Sequence, residues 1–274
     1  MMEIGILAKE FDRHNVVEVI QAVQDYDMNC VQFNLSCANL PSLPLEFDKD
    51  TFVDLGRTIR ESGIEIAGLS GTFNMIHPVM DVREKGLIAL ENLAKASRYL
   101  GTNVITLCTG SRDINNMWKF HPDNNSREAW EDLIKIMERA LVIAEKYNVI
   151  LGIEPELSNV INTAEKGMRL LETFQTDHLK IIMDGANLIP FDQIDKMHYL
   201  LDEAFDLLGE NIILAHAKDF SVEQQEFVAA GKGDLDYEYY ISLLKSSGYN
   251  GPLILHGLNE EQVSESHAYL KELI

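Results

Sequence analysis

The chain is short of cysteine, of basic residues and of long apolar runs, and each shortage excludes something. Only Cys30, Cys37 and Cys108 occur in 274 residues. The number is odd, and there is no CxxC pair or Cys/His cluster, so neither a disulfide framework nor a structural zinc site is expected. Reduced thiols in a cytoplasmic protein are the expected state. Lys and Arg total 23 against 44 Asp and Glu, a formal net charge of −21, and the pI is near 4.7. Phosphate backbones and anionic membrane surfaces are bound by clustered Lys and Arg, so neither nucleic acid nor a membrane is an expected partner. No apolar run approaches the roughly 20 residues that cross a bilayer. In the opening MMEIGILAKEF, Glu3 and Lys9 interrupt any signal-peptide apolar region, and Ile4 to Leu7 reads as a strand. No GxGxxG turn follows Leu7, which counts against a doubly wound dinucleotide fold.

What is present has a regular order. Apolar residues make up 46% and charged residues 24%, enough for a sizeable buried core. Eight short runs rich in Ile, Val and Leu recur: 4–7, 31–35, 64–69, 104–107, 149–153, 179–183, 212–215 and 253–255. Each is too short for a helix and lacks polar alternation, as befits parallel strands buried on both faces. Helical patterns lie between them, near 14–26, 50–62, 83–100, 127–146, 163–174, 196–208, 236–247 and 259–272. In the clearest, Trp130, Leu133, Ile134, Met137, Ala140, Leu141 and Ala144 fall on one stripe. Asn125 and Glu128 read as a capping box at its start, and Gly101 as the stop of the preceding helix. Strand then helix, repeated over the whole length, predicts an α/β fold: a single-domain (β/α)8 barrel over residues 1–274. Such a barrel typically uses about 250 residues. The spare length falls in strand-to-helix loops at 36–47, 108–125, 185–195 and 219–235, on the side where barrel enzymes build their sites.

Chemistry gathers at that side. Strand five ends GIEPE with Glu154 and Glu156, strand six ends MDGAN with Asp184 and Asn187, strand seven ends HAKD with His216 and Lys218, and strand eight ends LHGL with His256. Alone, an Asp or His at a strand end is more often a turn or hydrogen-bonding residue. Glu, Asp, His and His on four successive strands instead predict a metal or acid–base site. Mixed carboxylate and imidazole donors suit one divalent ion, Mn, Co, Zn or Mg.

At these residues the chain resembles the xylose isomerase-like barrel superfamily, which includes sugar isomerases, ketose 3-epimerases, inosose dehydratases, hydroxypyruvate isomerases and AP endonucleases of the endonuclease IV type. The resemblance spans nearly the whole chain. It rests on GIEPE at 152–156, MDGANL at 183–188, HAKD at 216–219 and GKGDLDYEYYISLLKSSGYNGPLILHGL at 231–258. The segment at 111–130 also resembles a loop of sugar phosphate isomerase/epimerase proteins. The resemblance implies a metal held by Glu154, Asp184, His216 and the residue at the end of strand eight. There the family usually carries Glu, and this chain carries His256; where the epimerases carry a His after the Asp, it has Asn187. Losing one carboxylate tilts the metal preference away from Mg²⁺ toward Mn²⁺, Co²⁺ or Zn²⁺.

The expected reaction is proton abstraction next to a carbonyl of a sugar or sugar derivative, through an enediolate, by an isomerase or epimerase. Glu154 or His256 is the expected base, and Lys218 the positive charge beside the developing oxyanion. Glu156, Asn187, Arg112, His77, Trp118 and His121 are the expected substrate contacts. For Lys218, a rim salt bridge with Asp219 is an equally weighted reading; for Trp118, plain loop packing is the slightly favoured one. A lyase or dehydratase using the same first step, and a sugar-binding barrel with a degenerate site, are the alternatives. An AP endonuclease is disfavoured by the charge of −21. A small carbohydrate is the expected partner, and the resemblance makes a homo-oligomer common.

Overall fold

A run of Ile, Val and Leu that is buried on both faces has no solvated side to offer, so it pairs on both edges and is covered by helices. The computed structural model, which describes residues 2–274, follows that rule around a closed barrel. Its strands are β1 (Ile4–Leu7), β2 (Cys30–Phe33), β3 (Glu65–Ser70), β4 (Val104–Cys108), β5 (Ile150–Glu154), β6 (Leu179–Asp184), β7 (Ile212–Ala217) and, after a small hairpin of β8 (Asp219–Ser221) and β9 (Glu226–Val228), β10 (Leu253–Leu255). All barrel pairs are parallel, and β10 closes the ring between β7 and β1. Outside lie α1 (Val16–Asp25), α2 (Lys49–Ser62), α3 (Met80–Leu100), α4 (Arg127–Tyr147), α5 (Ala164–Phe174), α6 (Met197–Leu208), α7 (Tyr237–Ser246) and α8 (Glu260–Leu273). The chain is therefore a (β/α)8 barrel, with strands and helices within a few residues of the expected runs. Among the described residues, no helix is long and apolar enough to cross a membrane.

Two expectations need correction. The N-cap of α4 is Ser126, whose side chain accepts from the Ala129 amide; Asn125 closes a preceding 3-10 turn instead. Ser126 has the extended backbone that a cap needs, and with the cap there Glu128 falls one position short of a capping box. The stretch 219–235, expected as a loop, carries the β8–β9 hairpin. Gly101 ends α3 as expected.

The core has two parts. Most apolar side chains pack between strands and helices. A smaller set, Leu7, Cys30, Ile182, Leu214 and Ile254, fills the barrel interior. Gly152 belongs to that inner layer. A Cβ there would lie 2.4 Å from the end of the Ile182 side chain, so any larger residue would have to push Ile182 aside.

Candidate active site

Side chains alternate along a strand, so residues two apart share a face. Ile182, Leu214 and Ile254 point into the barrel, and two residues on stand Asp184, His216 and His256. Gly152 and Glu154 have the same relation on β5. The register places Asp184 beside His216 across β6 and β7. Polar groups thus form the layer above an apolar plug, at the C-terminal mouth of the barrel. They face a cavity of about 530 Å³ lined by Glu154, Glu156, His216, Lys218, His256 and Trp118, among others.

One donor atom from each of Glu154, Asp184, His216 and His256 lies within 4.8 Å of all the others, so the four can hold a metal ion together. His216 tests the fit. Its Nε2 meets Gln32 Oε1 at 2.8 Å, while its Nδ1 is buried, has no hydrogen-bond partner and lies 3.4 Å from Glu154 Oε1. An unpartnered buried nitrogen beside a carboxylate oxygen is what a cation site requires. On β10, His256 Nε2 meets Asp184 Oδ2 at 3.1 Å. Lys218 Nζ donates to Asn187 Oδ1 at 2.6 Å and lies 3.5 Å from Asp184 Oδ2. Asn187 Nδ2 in turn donates to Glu154 Oε1 at 2.7 Å.

These contacts set the charges. Burial opposes ionisation of Asp184, but Lys218 and His256 hold its carboxyl well below the usual range. Glu156 has weaker compensation. Burial, together with Glu154 and Asp184, pushes it up to about 7 against the pull of Lys218. Burial would discharge Lys218, yet Asp184, Glu156 and Glu154 keep its pKa above the usual lysine value. Burial pushes His256 down, which leaves a neutral imidazole at pH 7. Three carboxyl groups and one ammonium meet in this buried space, with Glu156 only partly ionised at pH 7, and a divalent cation would offset the remaining negative charge.

A family profile described as a xylose isomerase-like TIM barrel matches residues 20–273. The chain belongs to this family. An L-ribulose-5-phosphate 3-epimerase of Escherichia coli is 22% identical over 79% of this chain and 72% of its own length. An uncharacterised protein of Methanocaldococcus jannaschii is 22% identical over 92% of this chain and 87% of its own. Among solved structures, the apo form of a 3-keto-D-glucoside 4-epimerase from E. coli superposes with a TM-score of 0.76 at 19% identity, covering 99% of this chain and 100% of that one.

In this xylose isomerase-like barrel the remaining expected residues divide. Trp118 and Glu156 line the cavity. Asn187 is buried, with its amide spent on Glu154 and Lys218. Arg112, His77 and His121 do not line the cavity. Arg112 bonds Asp132 and the Ile76 carbonyl. His77 bonds the Ile114 carbonyl and the Val79 amide, and His121 caps the 3-10 turn before α4. They fold the long loops back on the barrel, where a loop cation or imidazole is more useful as a brace than as a ligand.

Lys218 does not pair with Asp219. The Asp219 carboxylate is taken up by the amides of Phe220, Gly231, Gly233 and Leu235 at 2.8–3.1 Å. At Gly233 a Cβ would lie 2.2 Å from the Phe220 carbonyl, so this close turn demands glycine. Sequence reasoning missed Gln32 and Cys108, both lining the cavity. The Cys108 thiol, kept protonated by burial and by Glu154, donates to Glu154 Oε2 at 3.8 Å. Their positions at the ends of β2 and β4 were the available signal.

Proposed function

We propose that this chain is a metal-assisted sugar epimerase or isomerase that moves a proton on a carbon next to a carbonyl. The observation that carries the reading is the buried, unpartnered His216 Nδ1 facing Glu154 at the floor of a sugar-sized cavity. The relatives named as a ribulose-phosphate 3-epimerase and a 3-keto-glucoside 4-epimerase each invert a sugar carbon next to a ketone, which supports the same class here.

Glu154, Asp184, His216 and His256 would hold one divalent ion. Bound there, it would supply a Lewis acid for a carbonyl and a neighbouring hydroxyl. The other roles belong to the protein. Glu154 Oε2 carries only the weak thiol contact from Cys108, so it is the oxygen free to take the α-proton. His256 stands at the other end of the row β5–β6–β7–β10, is neutral, and is the more solvent-open of the two imidazoles. It is the second proton-transfer group. Lys218, charged and fixed by Asn187 and Asp184, faces the oxygen on which negative charge develops. Glu156 hydrogen-bonds substrate hydroxyls, and Trp118 forms an apolar wall for the ring carbons. Nothing in this arrangement requires a phosphate.

The test is a panel of ketoses and keto-sugars incubated with the Mn²⁺-loaded protein and with chelator-treated protein, products being resolved by chromatography. Conversion of at least one member, abolished by chelator and restored by Mn²⁺, is expected. Conversion that persists without metal would contradict the reading.

A further inference from the structure

We infer that Gln32 is the positioning residue that fixes the tautomer of His216 and so makes Nδ1, not Nε2, the metal-binding nitrogen. This rests on the proposed metal site and adds to it a residue outside the ligand set. The inference follows the hydrogens through one buried chain. The Thr106 hydroxyl donates to the Leu69 carbonyl at 3.5 Å. Toward Gln32 it can then only accept, and Gln32 Nε2 lies 3.1 Å away. The same nitrogen reaches Ser70 Oγ at 3.1 Å. The amide nitrogen of Gln32 is therefore turned to β3 and β4, and its oxygen to β7. Gln32 Oε1, an acceptor only, meets His216 Nε2 at 2.8 Å. Nε2 must carry the hydrogen, and Nδ1 keeps its lone pair.

The alternative tautomer would place a hydrogen on Nδ1, directed at Glu154. The distance there is 3.4 Å and Nδ1 forms no hydrogen bond. With this order, a lone pair and a carboxylate oxygen face one another across a gap that a cation would fill. An acceptor on the far nitrogen also raises the basicity of the ligating one. Gln32 is 6% exposed and reaches His216 across the barrel mouth from β2. The residue is thus built into the floor of the mouth and not into its rim loops.

The test reads the tautomer without requiring metal. Ring ¹⁵N shifts of His216 are measured in the metal-stripped protein, and Mn²⁺ and Zn²⁺ affinities by calorimetry, for the parent, Gln32→Leu and Gln32→Glu. The parent should show protonated Nε2 and unprotonated Nδ1. Gln32→Leu should mix the tautomers and weaken both metals about 10- to 100-fold. Gln32→Glu, which keeps an acceptor, should hold Nε2–H and stay within about 10-fold of the parent. If Gln32→Leu does not fold, Thr106→Val frees the amide and should mix the tautomers in the same direction. A parent with hydrogen on Nδ1, or a Gln32→Leu protein with unchanged tautomer and affinity, would overturn the inference. A parent with Nε2–H that binds neither metal would sink the metal reading while leaving the tautomer assignment standing.

Discussion

At the scale of single residues, the site depends on which buried groups are charged. Glu156 gives the plainest pH signature. Its carboxyl lies at about 7, above its ordinary value of 4.5, because burial outweighs the neighbouring Lys218. The folded state thus holds this proton more tightly than the unfolded state does. The resulting stability is complete below the unfolded value and is lost as pH rises through about 7. In metal-stripped protein, Glu156→Gln should remove a fall in Tm between about pH 5 and about pH 8 that the parent shows. An unchanged profile would mean that Glu156 is not held in this way. Glu154→Gln should lower turnover by about 10²- to 10⁴-fold, the range for loss of a proton-transfer group. The ligand residues were legible in the sequence because a strand-end position, a two-residue period and a metal-binding side chain coincide at Glu154, Asp184, His216 and His256. Gln32 was not. Its side chain is no usual ligand, and its partner His216 lies 184 positions away. Arg112, His77 and His121 misled for the opposite reason: their chemistry suggested a site, but their loops turn that chemistry inward.

At the scale of elements, what holds the mouth of the barrel is a set of polar bolts behind it. Tyr240 on α7 donates from its hydroxyl to the carbonyls of Met183 and His216, and Tyr237 to that of Lys218. Both rings are fully buried. Each hydroxyl thus fixes the backbone one or two bonds from a site residue. Tyr240→Phe leaves two buried carbonyls without that donor and should cost on the order of 1–3 kcal/mol, read by denaturant titration. Asp219 does the same for the loop between β8 and α7. Asp219→Ala strands four amides. It should destabilise by about 3 kcal/mol or more, with early hydrogen exchange at 219–235. Exchange there no faster than in the parent would show that the loop is held by something else. The strands and helices could be read from periodicity alone, since every one is paid for by an apolar face. The β8–β9 hairpin could not. Phe220 and Phe227 are its main apolar members, and the turn between the strands, VEQQ at 222–225, lacks the Asn-Gly or Asp-Gly signal.

At the scale of the whole molecule, the charge of −21 separates into two parts. Most carboxylates lie on solvated helix surfaces, while Glu154, Glu156 and Asp184 are drawn into one buried space with a single ammonium. A cation bound there joins only the folded state and stabilises it. At about 100 times its Kd, an ion should add about 2.7 kcal/mol, or several degrees of Tm for a chain of this size. A Tm unmoved by Mn²⁺, Zn²⁺ or chelator would count against the site. Closed barrel, polar layer and apolar plug together form an enzyme-like cavity, and proton transfer beside a carbonyl is the central claim about it. Solvent exchange tests that claim most directly. Metal-loaded protein and a ketose or keto-sugar are incubated in deuterium oxide, and the recovered sugar is examined by proton NMR and mass spectrometry. The account predicts deuterium at the carbon next to the carbonyl, with incorporation lost in Glu154→Gln. Epimerised or isomerised product recovered without solvent deuterium, or incorporation undiminished in Glu154→Gln, would contradict it.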